Sequence, residues 1–212
     1  RFLHGHDLAS ARELLDLALG ITAGAAPRAV TCSLEPIRYD VAGCDPRRLR
    51  DLRAAAEDPG ANLYHDFWEE EVLPRLERER PLLAGVSLTN RQQLVPGLML
   101  ARRLKRRGHF VVLGGALLTK FSDQLAGWPE FFEAFADGVV VFEGETALLE
   151  LVGQLRGDRD FSRVPNFRYL ERGAVRATPV RFEDLDALPI PSFDGLPLGR
   201  YLTPQPVLPV ML

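Results

Sequence analysis

The sequence predicts an α/β fold, a parallel sheet with flanking helices, and three observations carry that prediction. Three short apolar runs, 82–88 (LLAGVSL), 110–113 and 138–142 (GVVVF), have the length and composition of buried strands. Each is followed by a segment of helical period, and the links are short. Parallel neighbours require crossover helices, so strand, helix, strand, helix, strand, helix implies a parallel sheet.

The elements follow in order. Asp7 can cap a helix with Leu8, Leu14, Leu15, Ala18 and Leu19 on one face, ending near Gly20 and Gly24. Residues 27–46 read as irregular, and 46–57 as a short Arg-rich helix closed by Asp58-Pro59-Gly60. Leu63, Phe67, Glu70, Glu71 and Leu76 suit an amphipathic helix to about Arg80, bent at Pro74. After the first buried run comes a helix with Leu94, Val95, Leu98, Ala101 and Leu104 on one face, closed by Gly108. A further helix is expected over 130–136 and another over 147–155. Residues 166–170 and 174–178 read as a hairpin, and the chain beyond Phe182 is proline-rich and extended, a linker or strap.

Composition narrows the function. The 212 residues are 46% hydrophobic and 26% charged, enough for one core and little more, with a formal net charge of -3 that gives no general pull toward nucleic acid or anionic membrane. The basic run Arg102 to Arg107 reads as a solvated helix face instead of a nucleic-acid surface. Two cysteines, Cys32 and Cys44, are too few for a disulfide scaffold or a three-cysteine cluster loop, so a reduced, cytoplasmic setting is expected. No apolar run approaches the roughly 20 residues of a membrane span. The start at Arg1 suggests a piece of a longer chain. His4 and His6 could hold a metal but lack a partner at ligand spacing, and no catalytic constellation can be assembled.

In parallel sheets ligands sit beyond the carboxyl ends of the strands, which selects three loops. Ser87, Thr89 and Asn90 put hydrogen-bonding side chains at the end of the first strand; Asn90 is also a good helix cap, while alternation aims Ser87 and Thr89 the same way. Gly114 and Gly115, followed by Ala116 and Leu117, remove two Cβ atoms where a ligand could approach the backbone, or make a simple turn. Phe142, Glu143, Gly144, Glu145 and Thr146 hand a strand over to a helix; Glu145 suits the helix's first turn, and Gly144 suits close packing to a large planar ligand.

The order GVSLTNRQQLVPGLMLARRLKRRGHFVVLGGALLTKF, DGVVVFEGETALLELVGQL, VPNFRYL and LDALPIPSFDGLPLGRYLTPQPVLPV resembles the amino-terminal half of cobalamin-binding radical S-adenosylmethionine proteins, well over 82–212 and poorly before Leu63. The resemblance implies a flavodoxin- or Rossmann-like domain. Cobalamin would be held by the loops 87–90, 114–117 and 142–146, and 188–212 would be packed against a radical S-adenosylmethionine barrel. It implies 81–160 as the core of the cobalamin domain, 1–80 as a helical region whose upstream part is absent, and 161–212 as hairpin and linker. In the whole protein a 4Fe-4S cluster and S-adenosylmethionine would serve methyl transfer to an unactivated carbon. Two features depart from the family pattern. No Asp-x-His-x-x-Gly motif offers cobalt a lower histidine, and the Cys-x-x-x-Cys-x-x-Cys motif expected after Leu212 is not in the chain, so this polypeptide alone should not perform the radical step. Two other readings stay open: an interaction domain of the same fold that has lost its cofactor, and a nucleotide-binding flavodoxin-like module.

Overall fold

The computed structural model describes residues 5–26, 30–34, 37–190, 192 and 194–197; His4 and most of the proline-rich end, Leu198 onward included, lie outside them, as does the side chain of His6. Helix α1 (Gly5–Ala25) runs through Gly20 and ends beside Gly24. A mid-helix glycine costs only about 1 kcal/mol against alanine, and helix-forming neighbours such as Ala18 and Leu19 offset it. The stretch expected to be irregular contains an antiparallel hairpin, β1 (Val30–Leu34) and β2 (Ile37–Val41), pairing Val30 with Val41 and Cys32 with Tyr39. Its alternation is short and sits among Pro27, Pro36 and Pro46, which mask it.

Tyr39 anchors the hairpin to the rest. Its hydroxyl donates to the carbonyl of Ala61 (2.9 Å) and accepts from the amide of Leu63 (3.0 Å). Its ring begins a stack through Tyr64 to Trp68, with centroids 6.0 Å apart at each step. Burial pushes the phenol from 10.0 up to about 12, against the opposing Leu63 hydrogen bond. A raised folded value means this contribution to stability is complete below pH 10 and is lost as the pH climbs through about 12. In urea titrations across that window, wild type is expected to lose stability more steeply than Tyr39→Phe. The variant should also be about 1 kcal/mol less stable at pH 7 for want of the hydrogen bonds. Parallel pH profiles of the two proteins would refute this assignment.

Helix α2 (Leu49–Glu57) starts three residues later than the expected Pro46. The long helix is broken into α3 (His65–Phe67), a π-helical turn Trp68–Val72, and α4 (Leu73–Glu79), so the irregularity lies before Pro74 instead of at it. Proline carries no N–H, and the ladder of hydrogen bonds slips in the turn ahead of it.

The main sheet has five strands in the order β3 (Ala84–Ser87), β4 (Val111–Gly114), β5 (Gly138–Val140), β6 (Phe167–Glu171), β7 (Ala174–Ala177). The first three are parallel, as expected. The expected hairpin β6–β7 joins the same sheet, with β6 antiparallel to β5. Crossovers are made by α5 (Leu94–Arg106) after a 3-10 turn at Arg91–Gln93, and by α6 (Ala116–Lys120), α7 (Ser122–Leu125) and α8 (Pro129–Phe135). Helix α9 (Glu145–Arg156) follows β5. The result is an α/β, Rossmann-like fold.

Alternation along the strands divides the core in two. Ala84, Val111, Leu113, Val139 and Val141 pack with Leu98, Leu104, Phe131, Phe132 and Phe135 of α5 and α8. On the opposite face Val112, Val140, Phe167 and Tyr169 pack with Ala147, Leu151 and Leu155 of α9.

Only part of the basic run is a solvated face: Arg106 and Arg107 are exposed, while Arg102, Arg103 and Lys105 are partly buried. Arg102 pairs with Glu57, Arg103 with Glu69 (2.9 Å), Lys105 with Asp137 (2.5 Å), and Arg107 with Glu69 and Glu77 (2.7 and 3.0 Å), tying α5 to α2, to the π-helical turn and α4, and to the start of β5. The side chains of Arg102 and Arg103 are only 11% and 13% exposed. Charge runs are usually read as solvated because the sequence does not show which acids fold back on them. Among the described residues no helix is long and apolar enough to cross a membrane.

Candidate functional site

The tips of β3, β4 and β5 open onto one hollow of about 350 Å³ on the α9 side of the sheet. Its floor is built by paired positions that point the same way: Gly85 beside Val112, and Ser87 beside Gly114. Val140, Phe142, Gly144 and Leu148 form the wall toward α9. A Cβ on Gly85 would find its nearest neighbour at 4.0 Å, on Gly114 at 3.5 Å and on Gly144 at 3.7 Å. These glycines therefore border open space, and their missing side chains make the hollow.

Of the residues selected from sequence, Ser87, Gly114, Gly115, Phe142 and Gly144 line this hollow. Gly115, however, is a glycine for another reason. Its φ is 101°, and a Cβ there would lie 2.5 Å from the carbonyl oxygen of Leu88 and 2.9 Å from its nitrogen. The amide of Leu117 donates to that same carbonyl (3.1 Å), so the loop is stitched to the end of β3.

The other selected residues turn elsewhere. Thr89 does not point with Ser87: its amide and hydroxyl both donate to Gln93 Oε1 (2.8 and 2.9 Å). Asn90 caps the following turn, accepting from the Gln93 amide in a reciprocal capping box. It also borders a second hollow of about 550 Å³, between the β1–β2 hairpin and α5, together with Tyr64 and Trp68. Ala116 is exposed in α6, and Leu117 faces Asp45, Leu94 and Phe121 on the far side. Glu145 is the exposed first residue of α9, where a carboxylate complements the helix dipole.

Glu143 and Thr146 face residues 179–183, which cross the rim of the hollow. Thr146 donates its amide and its hydroxyl to the Glu183 carboxylate, each at 2.8 Å, and these bonds hold that carboxyl below the usual range. The amide of Glu183 donates to the Glu143 carboxylate. Asn166, 1% exposed and at φ 55°, donates from Nδ2 to the carbonyls of Glu143 and Arg181 (2.8 Å each) and accepts from the Arg181 amide (2.7 Å). Across the rim, the Phe142 amide donates to Thr119 Oγ1 (2.8 Å).

Sequence reasoning missed Gly85, although its two-residue offset from Ser87 put it on the same face. It also missed Leu148 and Val140 in the wall, and Asn166 and Glu183 behind the rim. For the last two no sequence signal exists, since their partners lie 15 to 40 residues away.

Chemically, the hollow offers one hydroxyl, exposed backbone and apolar walls. No histidine, cysteine or methionine lines it, and among the described residues no group of three or more His, Cys, Asp or Glu could hold a metal ion. At the start of α9, where a bound phosphate would ordinarily sit, the Thr146 amide is already taken by the Glu183 carboxylate. The lining carries no charged side chain and no acid-base pair.

Over 144 residues the chain is 38% identical to an uncharacterized methyltransferase of Pyrococcus horikoshii, a match covering 66% of this chain and 30% of that protein. The matched region thus spans less than a third of the length of this relative. No family model matches the chain, and no solved structure matches it.

Proposed function

We propose that this chain is the cobalamin-holding unit of a radical S-adenosylmethionine methyltransferase. The observation that carries the reading is the hollow at the strand tips, where Gly85, Gly114 and Gly144 leave backbone open to a flat ligand. Similarity to a protein named as a methyltransferase supports the reaction class. The residues fit a corrin in kind: the bare floor admits close approach of a ring, Ser87 can hydrogen-bond a peripheral amide, and Phe142, Val140 and Leu148 exclude water from one edge. No histidine, cysteine or methionine lines the hollow, so its residues would hold the cofactor by its ring and side groups and not through the metal. Bound there, cobalamin would supply a methyl group, and the protein's part is positioning. With only Cys32 and Cys44 in the chain, the cluster and S-adenosylmethionine would be held by another part of the whole protein.

A nucleotide-binding module fits less well, because a phosphate approaching the α9 N-terminus meets the Glu183 carboxylate. Purified protein titrated with hydroxocobalamin should show a shifted visible spectrum and retention of the cofactor in equilibrium dialysis. Gly114→Val should weaken retention at least about tenfold, which corresponds to about 1.4 kcal/mol, with its melting temperature close to wild type. Absence of binding by wild type at high ligand excess, or tight binding of flavin mononucleotide instead, would sink the reading.

A further inference from the structure

We propose that residues 179–183 are a strap that clamps the rim of the hollow, with Glu183 and Asn166 as positioning residues, so that filling the hollow and seating the strap form one coupled equilibrium. This rests on the cobalamin reading of the hollow.

The rim from Phe142 to Thr146 is short and its two ends are held by different elements. Thr119 of α6 holds the Phe142 amide at one end, and Glu183 holds both donors of Thr146 at the other. Between them Glu143 is held through its own carbonyl by Asn166 and through its carboxylate by the Glu183 amide. Asn166 in turn fixes the strap by accepting from the amide of Arg181 and donating to its carbonyl. One buried amide side chain therefore holds rim and strap together, and both of its polar atoms are used.

Aromatic contact carries the connection into the hollow. Phe142 lines the cavity, sits at φ 59°, and meets Phe182 of the strap edge to face at 5.8 Å. Phe182 is 67% exposed, so the Phe142 ring gives it one of its few packing surfaces. A ligand pressing on Phe142 thus presses on the strap, and a strap that lifts frees Phe142 and the start of α9. Such coupling is reciprocal: the factor by which a seated strap favours the ligand equals the factor by which the ligand favours the seated strap. Residues 184–190 continue the chain directly from the clasp.

The test uses hydroxocobalamin and two strap variants of the whole protein. Saturating hydroxocobalamin should slow hydrogen exchange of the Thr146, Arg181 and Glu183 amides about tenfold in wild type. By the same linkage, Glu183→Ala should weaken hydroxocobalamin binding about tenfold, and Glu183→Gln, which keeps an acceptor, about threefold. Circular dichroism checks that both variants fold. Unchanged affinity in folded Glu183→Ala, or strap exchange indifferent to the ligand, would overturn the coupling while leaving cobalamin binding intact. A wild type that does not bind hydroxocobalamin overturns the functional reading, and the coupling with it.

Discussion

Gly115→Ala should destabilise the protein by about 4 kcal/mol, whereas Gly114→Ala should change stability by less than about 1 kcal/mol. The two glycines are neighbours with opposite reasons to exist. At Gly115 the backbone has φ 101° and ψ 165°, a region essentially restricted to glycine, and a Cβ would press on the carbonyl oxygen, carbon and nitrogen of Leu88 at 2.5, 2.7 and 2.9 Å. Those are backbone atoms in a strand end that also holds Leu88 N–H to the Gly114 carbonyl (2.8 Å), so they cannot swing aside as a side chain could. At Gly114 the added methyl would meet the Val140 carbonyl oxygen at 3.5 Å and its Cβ at 4.0 Å, both ordinary contacts. Urea denaturation measures both changes. In heat, the Gly115 variant should melt about 10 °C lower. Equal, small losses at both positions would show that the loop does not need the close approach to Leu88.

This pair illustrates what the sequence could and could not disclose. The parallel strands were legible because an apolar run followed by a helical period permits few other arrangements. Which loops lie together was legible too, since all three parallel strands end on the same side. The direction of each side chain within those loops was not. Ser87 could be placed because strand alternation reaches it, while Thr89, two residues on, has already left the strand and answers to Gln93. Gly114 and Gly115 look identical as letters, and only the backbone trajectory separates open space from the Leu88 carbonyl. The clasp of Asn166 and Glu183 depends on long-range contacts without periodicity, as do the acids that neutralise Arg102 to Arg107.

Gly138→Ala is expected to cost about 3 kcal/mol by itself and almost nothing in a Phe167→Leu background. The reason lies in how one face of the sheet is filled. Along β3 and β4 this face carries Gly85, Ser87, Val112 and Gly114; across β5 and β6 it carries Gly138, Val140, Phe167 and Tyr169. The sheet thus grades from bare backbone to aromatic ring. Phe167 and Tyr169 stack at 5.6 Å, Phe161 meets both edge to face, and the fully buried Phe167 ring leans over Gly138. A Cβ at 138 would lie 3.0 Å from Cε1 of that ring and closer still to Cε2 and Cζ, and the ring is fully buried. Leucine at 167 lacks those outer atoms. Phe167→Leu alone should cost about 2 kcal/mol for lost packing, and the double variant about the same. Fully additive losses would mean that the sheet accommodates the methyl by shifting β6 instead. The β6 half of this face is closed by the chain's own rings, whereas the half over β3 and β4 borders the hollow. The same cycle therefore tests whether the sheet next to Val140, which lines the hollow, is held by rigid aromatic packing or by strands free to move.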